Sequence, residues 1–300
     1  MSEYPDGQPT ETARIEFVLE GKPRDLGGFT VRRVIPSVRH RRVGPFVFFD
    51  HMGPFTPTAE AKIAVRPHPH IGLATVTYLF DGEMVHRDSL GSKQLIVPGD
   101  VNWMTAGKGI VHSERSDDVR VAPGGLMHGL QCWVGLPTKD EECEPTFAHY
   151  GTAEIPRVSR EEGELRVVVG TAYGATSPVA VKSPTVFVDA KVVAGTTLDL
   201  PQGYEELAAY IVQGTVTCDA LAFHAGTMLV FRAGERPSVH ADVESRVVIV
   251  GGASLDGERY LFWNFVSSSK VRLEHAKRDW KEGRFPKVPG DDIEFIPLPE

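Results

Sequence analysis

His68-Pro69-His70 and, further along the chain, His112-Ser113-Glu114 are residues whose types and spacing could do chemistry. In each trio the polar residues stand two apart. On a β-strand alternate side chains leave the same face, so each pair points one way. On a helix, residues two apart diverge. Two such strands laid side by side bring three imidazoles and one carboxylate to a point. That donor set suits a divalent first-row metal, imidazole favouring iron, copper, nickel or zinc and the carboxylate favouring harder ions. Two matched alternating pairs are a poor description of scattered polar positions on strand edges. His68, His70, His112 and Glu114 are therefore candidate metal ligands.

The elements that must position them read as strands. After His70 the segment from Ile71 to Phe80 is rich in β-branched and aromatic residues and stops at Asp81-Gly82. Pro98-Gly99-Asp100 turns the chain into Val101-Asn102-Trp103-Met104, and Gly107 and Gly109 punctuate the approach to Ile110-Val111-His112. Short apolar runs under such dense Gly and Pro punctuation predict an antiparallel barrel or sandwich.

A chain of 300 residues has room for two domains with real cores. A net charge of −8 argues against nucleic-acid binding by bulk electrostatics. The basic run from Arg32 to Arg42 reads as a solvated strand face or loop. Cys132, Cys143 and Cys218 are few, odd in number and far apart, which predicts no disulfide framework and a reducing cytoplasm. Cys132, inside a strand, reads as a buried, inert thiol. No apolar run is long enough to cross a bilayer, and the polar, acidic start lacks the pattern of a signal peptide.

Residues 13–137 form a first strand-rich block that holds the candidate ligands, after a polar stretch expected to fray. Residues 138–164 read as an interdomain linker, residues 165–260 as a second strand-rich block, and residues 261–300 as a helix followed by an extended strap. The second block resembles a degenerate copy of the first: Gly82 is answered by Gly214, Gly99 by Gly226 and Gly107 by Gly234. On that register Leu200 and Gln202 replace His68 and His70, and Val239 replaces His112. His240 falls one residue out of phase, on the opposite face. The second block is thus expected to bind no metal. In the tail, Ser267-Ser268-Ser269 offers helix caps, Leu273, Ala276 and Trp280 share one helical face, and Gly283 supplies a stop.

His68-Pro69-His70, Gly82, Pro98-Gly99-Asp100, the run from Trp103 to Gly107, Gly109-Ile110, His112-Ser113-Glu114 and the run from His128 to Gln131 together resemble the pirin family of bicupins. The resemblance implies an all-β fold of two cupin (jelly-roll) barrels face to face with one C-terminal α-helix. It implies one divalent metal per chain, Fe(II) foremost, with Ni, Cu, Mn, Co or Zn as alternatives, held by His68, His70, His112 and Glu114. It further implies an oxidoreductase like quercetin 2,3-dioxygenase, which opens a flavonol at the 2,3 bond with dioxygen and releases carbon monoxide. Glu114 would be the catalytic proton acceptor. The alternative is a non-enzymatic, redox-sensing regulator that docks a protein partner, with the Arg32 to Arg42 run as a contact. The general cupin pattern places a glutamate four or five residues after the second histidine, where this chain has Ala74 and Thr75. That departure alters the polarity expected near the metal. His51, His86 and His128 read as hydrogen-bonded structural histidines, with His128 beside Gln131 the best partner for a ligand imidazole. Phe46, Phe48 and Phe49 read as core.

Overall fold

A computed structural model of the chain describes residues 12–26, 29–57, 64–115 and 125–300, so residues 1–11 of the stretch expected to fray lie outside it. The first barrel pairs a seven-stranded antiparallel sheet with a four-stranded one, and the second barrel repeats that plan. The two large sheets face each other. On the strand Leu73–Asp81, Ala74, Val76, Tyr78 and Phe80 pack with Phe187, Tyr210 and Val248 of the second barrel. The alternate residues Leu73 and Leu79 turn into the first barrel. Both faces of this strand are buried, which is why its sequence runs nearly unbroken in apolar residues. The second barrel is filled by aliphatic side chains, among them Leu165, Val188, Leu198, Val239 and Ile249.

Polar pairs cross the interface between the barrels. Tyr78 donates its hydroxyl to Asp189 at 2.8 Å, and Arg246 holds the same carboxylate with bonds of 2.8 and 2.6 Å. His51 Nδ1 lies 2.8 Å from the Tyr210 hydroxyl.

One strand crosses between the barrels, and the linker divides between them. Ile15–Glu20 pairs with Thr227–Phe231 of the second barrel. Thr146–Tyr150, inside the expected linker, pairs with Val101–Thr105 of the first. Arg157–Arg160, from the same segment, joins the second barrel through Gly163–Val169. The expected boundaries at 13 and at 138–164 therefore do not follow the sheets. Composition marks surface polarity, whereas sheet membership is set by pairings remote in sequence.

The tail follows its reading. The helix spans Lys270–Lys281, with the Ser269 hydroxyl accepting from the Arg272 amide at 3.3 Å. Leu273 and Ala276 are buried against Ile71 and Phe265. Gly72, at φ +67°, lets the chain turn directly after the ligand strand, because a Cβ there would meet the Val266 carbonyl oxygen at 2.0 Å. Beyond the helix, the Ile296 amide donates to the Pro67 carbonyl at 2.9 Å, and Trp280 donates to the Ile296 carbonyl at 3.0 Å. Asp291 accepts from the Ser113 hydroxyl and from Nε and Nη2 of Arg115, each at 2.7 Å.

The strap thus grips both strands that carry the candidate ligands. Asp291→Ala would leave Ser113 and the mostly buried Arg115 without this acceptor. We expect about 1.5–3 kcal/mol of lost stability, the range for hydrogen bonds to charged groups, read in urea unfolding. An unchanged midpoint would show that the Asp291 contacts add nothing to stability.

Candidate metal centre

The strands Ala64–His70 and Ile110–Arg115 pair antiparallel with His112 opposite His68. Period-two alternation then sends His68, His70 and His112 into the first barrel, where a ligand nitrogen from each lies within 4.8 Å of the others. No other such group of histidine, cysteine or carboxylate side chains stands among the described residues. Glu114 lies beside the trio, its Oε1 3.5 Å from His112 Nδ1, across a local irregularity in the strand register.

Backbone carbonyls orient two of the rings. His68 Nδ1 is 2.9 Å from the Arg66 oxygen, and His70 Nδ1 is 3.2 Å from the Asn264 oxygen. A carbonyl can only accept, so each Nδ1 carries the proton and each Nε2 presents a lone pair. His70 Nε2 and His112 Nε2 are 3.0 Å apart. Two nitrogens about 2.0–2.1 Å from one ion, at right angles, would stand about 3 Å apart. Buried His112 Nδ1 has no hydrogen-bond partner. Burial also pushes the His68 pKa down to about 4, and those of His70 and His112 well below the ordinary value. Neutral imidazole is the form that binds metal. The residues fit a divalent ion.

Burial acts in the opposite sense on Glu114, raising its carboxyl to a pKa of about 8. Glu114 and His68 line a cavity of about 620 Å³. One wall is aromatic. Phe48 stacks on Trp133 at 3.9 Å and 11°, and the Trp133 ring meets His70 edge-on at 5.0 Å. Phe46, Phe48 and Phe49 are all buried in core clusters as expected, and Phe48 also lines the cavity: it alternates with Phe49, and a register irregularity between Phe46 and Phe48 sets it apart from Phe46.

The sequence reading missed a polar row across the large sheet of this barrel. Arg33, Asp50, Gln131, Thr77, Asn102 and His149 are successive lateral partners on six strands. Arg33 grips Asp50 at 2.9 and 2.8 Å, and Thr77 donates to Gln131 Oε1 at 2.8 Å. That bond fixes the amide so that Gln131 Nε2 faces Glu114 Oε1 at 3.5 Å. His149 Nδ1 lies 2.8 Å from Asn102 Oδ1. In the second barrel the corresponding lateral row is Val167, Val188, Ile249, Ala209, Leu229 and Val18. The available signal was polar residues at strand positions whose repeat counterparts are aliphatic.

Three expectations need correction or refinement. His128 partners no ligand: its Nε2 is 2.7 Å from His51 Nε2 at the interface between barrels. Three apart on a strand, His128 and Gln131 face opposite ways, and it is Gln131 that reaches the site. His86 bonds Asp88 at 3.0 Å and stacks on Phe147. In the second barrel Val239 is opposite Leu198, and the Leu200 amide bonds to the Pro237 carbonyl. Leu198 and Leu200, rather than Leu200 and Gln202, therefore replace His68 and His70. A two-residue slip preserves the face, so glycine spacing could not detect it. His240 lies outside that core, bonded to the Thr197 hydroxyl.

Cys132 is fully buried, with its thiol pKa raised. Within the basic run, Arg33 is tied to Asp50 and Arg42 to Glu206 at 2.7 Å. No helix among the described residues is long and apolar enough to cross a membrane.

The chain matches the family described as Pirin over residues 28–134 and the Pirin C-terminal cupin domain over residues 187–286. It is 49% identical to a pirin-like protein of Caulobacter vibrioides, covering 95% of this chain and 100% of that one. A Pseudomonas aeruginosa protein provisionally named quercetin 2,3-dioxygenase is 34% identical, with 91% and 87% covered. The crystal structure of a quercetin 2,3-dioxygenase from Acinetobacter baumannii superposes with a TM-score of 0.86 at 34% identity, covering 94% of each chain.

Two outcomes test the centre. Wild-type protein should hold close to one tightly bound ion per chain by metal analysis. His112→Ala should lose most of it with circular dichroism unchanged, while His240→Ala should lose none. The second concerns acid. Burial lowers His51 to about 3, so below pH 6.5 the unfolded chain takes up a proton that the folded chain refuses. Stability should be flat from this source above pH 6.5. It should fall as pH drops toward 4, by up to about 1.4 kcal/mol per pH unit for each such histidine. His51→Gln should show a shallower fall in urea titrations at pH 7.5 and 5.

Proposed function

Because the chain belongs to the pirin family, we propose that it is a metal-dependent dioxygenase that opens a flavonol such as quercetin at the 2,3 bond, consuming dioxygen and releasing carbon monoxide. The observation that carries this reading is the trio of neutral, inward-facing imidazoles beside a buried carboxylate, with His68 and Glu114 lining a largely apolar cavity. The named activity of the Pseudomonas and Acinetobacter relatives supports the substrate class.

His68, His70, His112 and Glu114 would hold the ion, with Fe(II) as the proposed metal. A divalent cation bound there would supply positive charge that keeps Glu114 ionised and Lewis acidity toward a substrate oxygen and dioxygen. The protein's own residues do the rest. Glu114 accepts the proton of the flavonol 3-hydroxyl. Gln131, fixed by Thr77, donates to Glu114 Oε1 and holds the carboxyl in place. The stacked Phe48 and Trp133 rings give the cavity an apolar aromatic wall and help to keep water out.

Glu114→Gln keeps the shape and removes the basic site. Three histidines remain, so part of the metal should be retained. Turnover of quercetin with carbon monoxide release should fall by about 10²–10⁴-fold, mainly in kcat. Wild-type turnover by the loaded variant would remove Glu114 as the base. Wild-type protein loaded with ferrous iron that left flavonols intact in air would overturn the dioxygenase reading in favour of the regulator.

A further inference from the structure

The dioxygenase chemistry uses only part of the polar row in the first barrel. Gln131 reaches Glu114, but Arg33 and Asp50 have no role at the metal. Both line the same cavity. Asp50 is almost wholly buried, and burial raises its carboxyl pKa against the pull of Arg33. An ion pair with a buried carboxylate is a costly way to hold a sheet, often no better than apolar residues of similar size. The second barrel demonstrates the alternative, with Val167 beside Val188 at the matching positions. The architecture therefore does not require a charge there.

The pair lies at the far end of the aromatic wall. From His70 the contacts run 5.0 Å to the Trp133 ring, 3.9 Å to Phe48 and 4.4 Å to the Arg33 guanidinium carbon. Those steps suit a planar molecule with one end at the metal and a further ring beyond. We propose that the Arg33–Asp50 pair recognises the distal end of the substrate, and that the ligand class is planar polyphenols with adjacent hydroxyls on the ring remote from the metal. One hydroxyl donates to the Asp50 carboxylate, and its neighbour accepts from the Arg33 guanidinium. This deepens the dioxygenase reading, since it takes the cavity to be the substrate site.

The test transplants the second barrel's solution. Arg33→Val together with Asp50→Val removes both charges at once, which avoids stranding either one. Melting temperature and metal content report whether the variant is folded and loaded, and Asp50→Asn, close in shape, provides a second variant. Quercetin carries two hydroxyls on its outer ring, whereas galangin is a flavonol with none there. Binding of each to the metal-loaded protein is followed without oxygen by quenching of tryptophan fluorescence. Wild type should prefer quercetin by about 10- to 100-fold, the range for hydrogen bonds to charged groups. The double variant should bind both alike, and Asp50→Asn should lose most of the preference. Equal affinities in wild type, an undiminished preference in a folded double variant, or no binding of either flavonol would overturn the proposal. Turnover failing in air while the binding preference holds would overturn the dioxygenase reading and leave the recognition role standing.

Discussion

Removal from water is the constraint on which the rest of this molecule depends. The two large sheets bury each other's faces, and each small sheet closes its barrel from the other side. Inside the first barrel that dryness has opposite effects on the two kinds of titrating group. Imidazoles are kept neutral and carry their lone pairs inward, while Glu114 is kept protonated until a compensating charge arrives. A site of this kind is poised for a cation. The centre is set by where the histidines are buried as much as by their identity.

The two barrels form an internal comparison. They share strand order and lateral pairing, and they differ in what those pairings place indoors. Where the second has a continuous aliphatic core, the first carries polar residues in its large sheet and histidines in the small one opposite. The aliphatic barrel shows what the fold needs to be stable. The polar residues of the other are not needed for the architecture and are available to the proposed chemistry and recognition.

Much of this was legible in the sequence because strands have a short, rigid period. His68, His70 and His112 were found from two-residue spacing alone, and the helix from Ser269 to Lys281 from its cap and its buried face. Features that depend on lateral pairing were not legible. Gln131, Thr77 and Asn102 become neighbours only when their strands are ordered in the sheet. His128 was assigned to the wrong side because proximity in sequence to Gln131 is not proximity on a pleated face. The repeat register slipped by two because the alternating pattern is blind to even shifts.

The crossing edge strand bears on how the chain comes into being. Ile15–Glu20 is the first of the described strands to be made, yet its place in a sheet is beside Thr227–Phe231, close to the end of the second barrel. The first barrel, by contrast, takes its strands in sequence from Lys22–Asp25 to Thr146–Tyr150. The second barrel alone cannot close from its own contiguous stretch of chain, because Ile15–Glu20 must wait with its backbone unpaired until Thr227–Phe231 has been made. Assembly is thereby tied to completion of the polypeptide, and a truncated product would be left with open sheet edges.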